Sequence, residues 1–191
     1  MAKLHFKYGT MGSGKTLQLL ITAHNYERQK KKVLIIKPEI DTRFGYGIIK
    51  TRIGLERKAD VLLQEDPHIF DIPIDTSCIL VDEAQFLAVE WINSLRSIST
   101  EYDIPVICFG LKADFKSQLF PASKRLFEIA DKIEELKTVC SYCMSKATQN
   151  MKLIDGKANI SGPSIELGAD EKYHPVCWPC YFAATKDKFE N

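Results

Sequence analysis

Little in this chain of 191 residues is in surplus. Its 26 basic residues nearly match its 25 acidic ones, leaving a formal net charge of +1, so no net field recruits a polyanion such as nucleic acid. The only dense basic run, Lys30-Lys31-Lys32, falls at the expected end of the first helix, where cations complement the negative dipole end. No apolar run approaches the roughly 20 residues that span a bilayer. The opening Met-Ala-Lys-Leu-His-Phe leads straight into a core strand, with no removable signal. These absences predict a cytoplasmic protein with neither a membrane nor a nucleic acid as partner. Internal repeats and low-complexity stretches are also missing. At 45% hydrophobic, the chain can bury one good core with room for a small appendage.

Against that plain background one stretch stands out. Gly9-Thr10-Met11-Gly12-Ser13-Gly14-Lys15-Thr16 fits G-x-x-x-x-G-K-[ST]. Leu4, Phe6 and Tyr8 alternate with polar residues before it, as in a short strand, and Leu17, Leu20 and Ile21 recur at helical spacing after it. Strand, glycine loop and helix form the phosphate-binding context. The glycines let backbone N–H groups turn inward around a polyphosphate, and the helix adds its positive end. Lys15 is expected to reach the outer phosphates, and Thr16 to offer its hydroxyl to Mg²⁺. A glycine-rich turn without a ligand is the plain alternative, but four specified positions match by accident in on the order of one chain in a hundred.

A second pattern turns the loop into a candidate enzyme site. Cys78-Ile79-Leu80-Val81 is an unbroken apolar run suited to a strand buried on both faces, and it ends in Asp82-Glu83-Ala84-Gln85-Phe86. Open parallel sheets bind ligands at the carboxyl edge, so Asp82 is expected beside the loop, holding Mg²⁺, while Glu83 faces whatever attacks the γ-phosphate. The competing reading has the pair merely capping a helix that begins near Ala88.

The six cysteines fall into two groups. Cys78 and Cys108 lie within strand runs, where a thiol behaves as a small buried hydrophobe. Cys140-Ser141-Tyr142-Cys143 and Cys177-Trp178-Pro179-Cys180 form two C-x-x-C knuckles suited to a tetrahedral Zn²⁺ site, structural because four thiolates leave no open position. Their separation exceeds the usual ribbon spacing, so a further segment is looped out between them.

Read coarsely, the chain predicts strands at 4–8, 33–37, 60–64, 78–82, 105–110 and 132–136, with helices at 15–30, 88–101 and 122–130. That alternation predicts an α/β fold with a parallel sheet and helices on both faces. A boundary near 137/138 divides a nucleotide-binding domain, 1–137, from a zinc-binding module, 138–191, whose segment at about 155–173 reads as a functional cover.

Taken together, the loop at 9–16, Asp41-Thr42-Arg43-Phe44, Asp82-Glu83-Ala84-Gln85-Phe86, Phe109-Gly110-Leu111-Lys112-Ala113-Asp114-Phe115 and the terminal Gly168, Tyr173, Cys177 and Cys180 resemble the zinc-containing, cytosolic-type (type II) thymidine kinases. The resemblance spans essentially the whole chain. It implies a RecA-like P-loop domain, a zinc-ribbon module carrying a lasso loop, and transfer of the ATP γ-phosphoryl group to the 5′-hydroxyl of thymidine. A homotetramer and feedback inhibition by dTTP are implied as well.

By the same resemblance, Lys15 stabilises the transferring phosphoryl group, Thr16 and Asp82 position Mg²⁺, Glu83 accepts the 5′-hydroxyl proton, and Arg43, beside Asp41, lies near the acceptor. Met11, Gln85, Phe86, Leu111, Phe115, Phe120, Ile165 and Tyr173 are implied in nucleoside binding. An aromatic after each motif also suits stacking on a flat base. Thr148 and Asn150 are both candidates for the approach to the thymine methyl. The chain departs from the family pattern at Gly168-Ala169, in place of Gly-Gly, and at Glu166 between Ile165 and Leu167. The rival from another class is a P-loop ATPase whose zinc knuckles dock a protein or nucleic acid, with Glu83 polarising a water. Such a motor needs a second domain or a ring neighbour supplying an arginine.

Overall fold

In the computed structural model, residues 1–66, 70–165 and 170–186 are described. The first two-thirds alternates as expected. β1 (Leu4–Tyr8), α1 (Lys15–Arg28) and β2 (Lys32–Pro38) are followed by a short antiparallel hairpin, β3 (Ile48–Lys50) and β4 (Glu56–Lys58). After it come β5 (Val61–Leu63), β6 (Thr76–Val81), α2 (Val89–Glu101), β7 (Val106–Gly110), α3 (Pro121–Ile129) and β8 (Lys132–Glu135). Six strands form one sheet in the order β5-β2-β6-β7-β1-β8, and every neighbouring pair is parallel.

Buried parallel strands feed both faces of the sheet by simple alternation. In β6, Ile79 and Val81 join one core with Trp91, Ile92 and Leu95 of α2 and Ala122 and Leu126 of α3. Cys78 and Leu80 face the other way, into a core with Leu19 and Ala23 of α1. Helices therefore cover both faces. Cys78 and Cys108 are fully buried, as small hydrophobes should be. The basic run differs from expectation: α1 ends at Arg28, Lys30 adopts a left-handed φ of 60°, and Lys32 already opens β2. The tight turn, not a longer helix, accommodates these lysines, and Lys32 pairs with Asp75 at 3.0 Å.

Beyond β8 the chain builds β9 (Gln149–Ile154), β10 (Lys157–Asn159), β11 (Tyr173–Val176) and α4 (Trp178–Thr185), with the strands in an antiparallel sheet ordered β10-β9-β11. A small core of Met151, Val176 and Tyr181 lies against the four knuckle cysteines. The Tyr181 hydroxyl donates to the Phe115 carbonyl at 2.7 Å, and the Met11 N–H donates to Asn150 Oδ1 at 2.8 Å. These bonds fasten the small sheet to the large one on either side of the cleft between them. Glu166, Leu167, Gly168 and Ala169 lie outside the described residues.

Candidate active site

β1 and β6 point the phosphate loop and the acidic pair toward the same sheet edge, with β7 between them. Gly12 and Gly14 hold left-handed φ values of 76° and 80°, a conformation that costs other residues energy. Gly9 is needed for a different reason: a Cβ there would lie 2.5 Å from the Leu136 carbonyl oxygen. Gly14 is the N-cap of α1, and no side chain caps that end, so its first N–H groups face the loop and suit an anion. The Lys15 ammonium is buried and donates to the Thr10 carbonyl at 2.8 Å and the Gly9 carbonyl at 3.4 Å. Burial pulls its pKa down to about 8, against the opposing charges of Glu83 and Asp82. Ser13 and Thr10 shape the loop from behind, through a bond from the Ser13 N–H to the Thr10 carbonyl at 3.3 Å.

Asp82 follows the last residue of β6, and its carboxylate accepts from the Thr16 hydroxyl at 3.2 Å. Glu83 adopts a left-handed φ of 49°, a strain of about 1–3 kcal/mol of the kind that gathers at functional sites. It leads into a single 3₁₀ turn, Ala84–Phe86, whereas the N-cap of α2 is Ala88. The acidic pair therefore does not cap the helix.

Glu83 is gripped from both sides. Arg43 Nη2 donates to its Oε1 at 2.6 Å and Gln85 Nε2 to its Oε2 at 2.5 Å. Arg43 also clamps Asp41, through Nε at 2.7 Å and Nη2 at 3.2 Å. Behind them, Lys37, only 1% exposed, pairs with Asp41 at 3.0 Å and donates to the Ile48 carbonyl at 2.7 Å. Burial alone would raise the Glu83 pKa, but Arg43 and Lys15 outweigh it and hold the carboxyl below its ordinary value. Asp82 moves the other way, raised by burial and by the neighbouring Glu83 charge. Two adjacent carboxyls pushed apart in this way are suited to different tasks.

The cleft above these groups measures about 320 Å³. Its aromatic side carries Phe86 edge-on to Phe120, ring centres 6.0 Å apart, and Phe115 tilted against Tyr173 at 6.1 Å. Met11, Leu111 and Ile165 line the same space. Gln85 does not. It is buried, and its side-chain oxygen accepts from the Leu111 N–H at 2.9 Å, so it acts on the cleft through Glu83 and the backbone. Between the two residues left open, Asn150 borders the cleft, while Thr148 lines a separate, much smaller crevice.

Several residues in or beside the cleft carry no motif: Lys37 and Arg52 line it, and Lys152 lies behind Phe115. Lys37 looked like the end of a strand, and Arg52 sits on a hairpin with no apolar pattern. Lys152 is buried with its ammonium over the Phe115 ring, 4.9 Å from the ring centre, a cation–π contact with the ring's face. A lysine between Met151 and Leu153 gives no sequence signal for burial.

The sulfurs of Cys140, Cys143, Cys177 and Cys180 all lie within 4.8 Å of one another, with Cys143 and Cys177 at 3.5 Å and Cys143 and Cys180 at 3.8 Å. Tetrahedral thiolates at a Zn–S distance of about 2.3 Å stand roughly 3.8 Å apart, so the cluster fits structural zinc.

A glycine loop at a helix start, an acidic pair across one strand and a cleft beside them define a P-loop nucleotide-binding α/β protein. The thymidine kinase family model matches residues 2–181. The thymidine kinase of Lactococcus lactis subsp. lactis is 46% identical over 95% of this chain and 98% of its own length. That of Enterococcus faecalis is 47% identical over 95% of each. A solved Pif1 helicase from Candida albicans overlays 71% of this chain and 36% of its own, with a TM-score of 0.39 at 13% identity, too slight a likeness to bear on function. The chain belongs to the thymidine kinase family and is a phosphotransferase enzyme.

Proposed function

We propose that the protein transfers the γ-phosphoryl group of ATP to the 5′-hydroxyl of thymidine, giving ADP and dTMP. The observation that carries this reading is Glu83, only 12% exposed and held between Arg43 and Gln85, in one cleft with the phosphate loop and the rings of Phe86, Phe115, Phe120 and Tyr173. The base stacks among Phe86, Phe115, Phe120 and Tyr173, and the sugar hydroxyl points to Glu83. As the O5′–Pγ bond forms and the bridging bond to the β-phosphate breaks, Glu83 takes the hydroxyl proton. Arg43 keeps Glu83 ionised and aimed, and Lys15 stabilises charge on the transferring group. Thr16 and Asp82, already joined by a hydrogen bond, are hard oxygen donors that suit Mg²⁺. When bound there, Mg²⁺ neutralises charge on the β- and γ-phosphates.

Residues 1–137 act as the kinase domain and 138–191 as the zinc-held module whose lasso covers the nucleoside. Zinc at the four cysteines is structural. A cytoplasmic homotetramer inhibited by dTTP completes the reading; among the described residues no helix is long and apolar enough to cross a membrane. The test is a phosphoryl-transfer panel with Mg-ATP against thymidine, deoxyuridine, deoxycytidine, purine deoxynucleosides and single-stranded DNA. Labelled phosphate is expected on thymidine, and single-stranded DNA should leave ATP consumption unchanged. ATP consumption driven by DNA and indifferent to nucleosides would replace this reading with a P-loop ATPase using its zinc knuckles for docking.

A further inference from the structure

The β3–β4 hairpin brings an arginine over the phosphate loop that no motif assigns. The position a Cβ on Gly12 would take lies 3.9 Å from Arg52 Nη1, and Arg52 lines the same cleft as Lys15 and Thr16. Its side chain is exposed, and no hydrogen bond or ion pair holds it among the described residues. The nearby acids are engaged elsewhere: Glu83 with Arg43, Asp82 with Thr16, and Glu56 of the same hairpin with Lys50 at 3.0 Å. Arg52 is also close enough to Lys15 to disfavour that residue's proton. Two cations thus face a cradle of backbone N–H groups without a carboxylate on either, which is an arrangement complementary to a polyphosphate.

The tip that carries Arg52 is held in shape. Thr51 is buried, its N–H donates to the Leu55 carbonyl at 2.8 Å, and its hydroxyl accepts from the Leu55 N–H at 3.0 Å. Gly54 closes the turn at a φ of 90°. At the root, Lys37 holds the Ile48 carbonyl, and Arg57 reaches Glu27 of α1 at 2.6 Å. The guanidinium is therefore presented by an anchored turn, which lowers the entropy lost when it meets a ligand.

We propose that Arg52 is a catalytic residue, an arginine supplied by the chain itself that binds the β- and γ-phosphates of the donor nucleotide from the side opposite the loop backbone. It rests on the phosphoryl-transfer reading for its effect on rate, but its effect on nucleotide binding is separate. The guanidinium fork spreads over two phosphate oxygens and gains contact as charge develops on them in the transition state.

The full-length chain with Arg52→Ala and Arg52→Lys tests this, because an exposed side chain without partners leaves folding intact. In Arg52→Ala, kcat should fall by about 10²–10³-fold. Its affinity for ATP should fall by roughly tenfold, a single lost charge-assisted contact, and more than its affinity for ADP. Thymidine affinity should stay near wild type, and added guanidinium should restore part of the rate. Arg52→Lys should fall between, retaining charge without the fork. Wild-type turnover in Arg52→Ala together with an unchanged ratio of ATP to ADP affinity would overturn the assignment. Equal losses in thymidine and ATP binding would do the same, since that pattern belongs to a hairpin that merely supports the cleft. If the wild-type chain phosphorylates no nucleoside, the proposed function fails, and Arg52 is still judged on ATP against ADP binding.

Discussion

At the scale of single residues, the site depends on charges placed where water cannot screen them. Glu83 sits at the end of a line of alternating charge from Lys37 through Asp41 and Arg43, and each member is costly to bury alone. Glu83→Gln keeps the shape and leaves Arg43 its fork on Asp41. Mg-ATP binding should survive while kcat drops by roughly 10²–10⁴-fold, because the amide takes no proton. Single-turnover kinetics beside equilibrium ATP binding would separate the two. Asp41→Asn acts on stability instead. Burial would raise the Asp41 pKa, but Arg43 and then Lys37 outweigh it and hold it below the ordinary carboxylate value. Its contribution is therefore complete above the ordinary value and is lost as pH falls through the lowered native one. Asp41→Asn should cost about 3–5 kcal/mol near neutrality, the penalty for stranding buried partners. That deficit should shrink in acid, as urea unfolding of both proteins at stepped pH would record.

At the scale of elements, what could be read in advance followed from how locally each element is encoded. β1, the phosphate loop and α1 carry their signals within consecutive residues, and so does the apolar run of β6. The β3–β4 hairpin could not be read this way. Glu56-Arg57-Lys58 is wholly charged, and its strand is made by pairing with β3, with Lys37 of β2 holding the Ile48 carbonyl and Arg57 reaching α1. For the same reason nothing in the sequence marks Arg52 or decides between Thr148 and Asn150: the packing of β9 beside the loop turns Asn150 toward Met11. The end of β7 illustrates a constraint between elements. A Cβ on Gly110 would come within 2.7 Å of Gln85 Oε1 and 3.2 Å of the Gln85 nitrogen, so the 3₁₀ turn carrying Glu83's partner can approach only a glycine. Gly110→Ala should destabilise by about 1–3 kcal/mol through overpacking. It should also lower kcat by shifting Gln85, an outcome that urea midpoints and steady-state rates would register together.

For the whole molecule, the small sheet and the large one make a single working unit whose two halves of the cleft answer to different supports. The phosphate-loop side is built from β1, α1 and β6, buried in cores that do not involve the four knuckle cysteines. The aromatic side leans on the cysteine cluster, because Tyr181, packed beside it, donates to the Phe115 carbonyl, and Tyr173, which faces Phe115, opens β11 of the same small sheet. Cys177 is the N-cap of α4, so releasing its sulfur frees the helix that carries Tyr181. If zinc organises the four thiolates, its removal should loosen the aromatic side and leave the phosphate loop in place, since structural zinc contributes directly to the folding of small modules. One zinc per chain is expected by metal analysis. Cys177→Ser, or chelation of the wild-type protein, should weaken thymidine binding far more than Mg-ATP binding, and proteolysis should begin within 138–186 before it reaches the large sheet. Equal loss of both affinities would mean that the cluster supports the entire fold, and a metal-free protein with full thymidine affinity would mean that the cysteines hold their geometry without zinc.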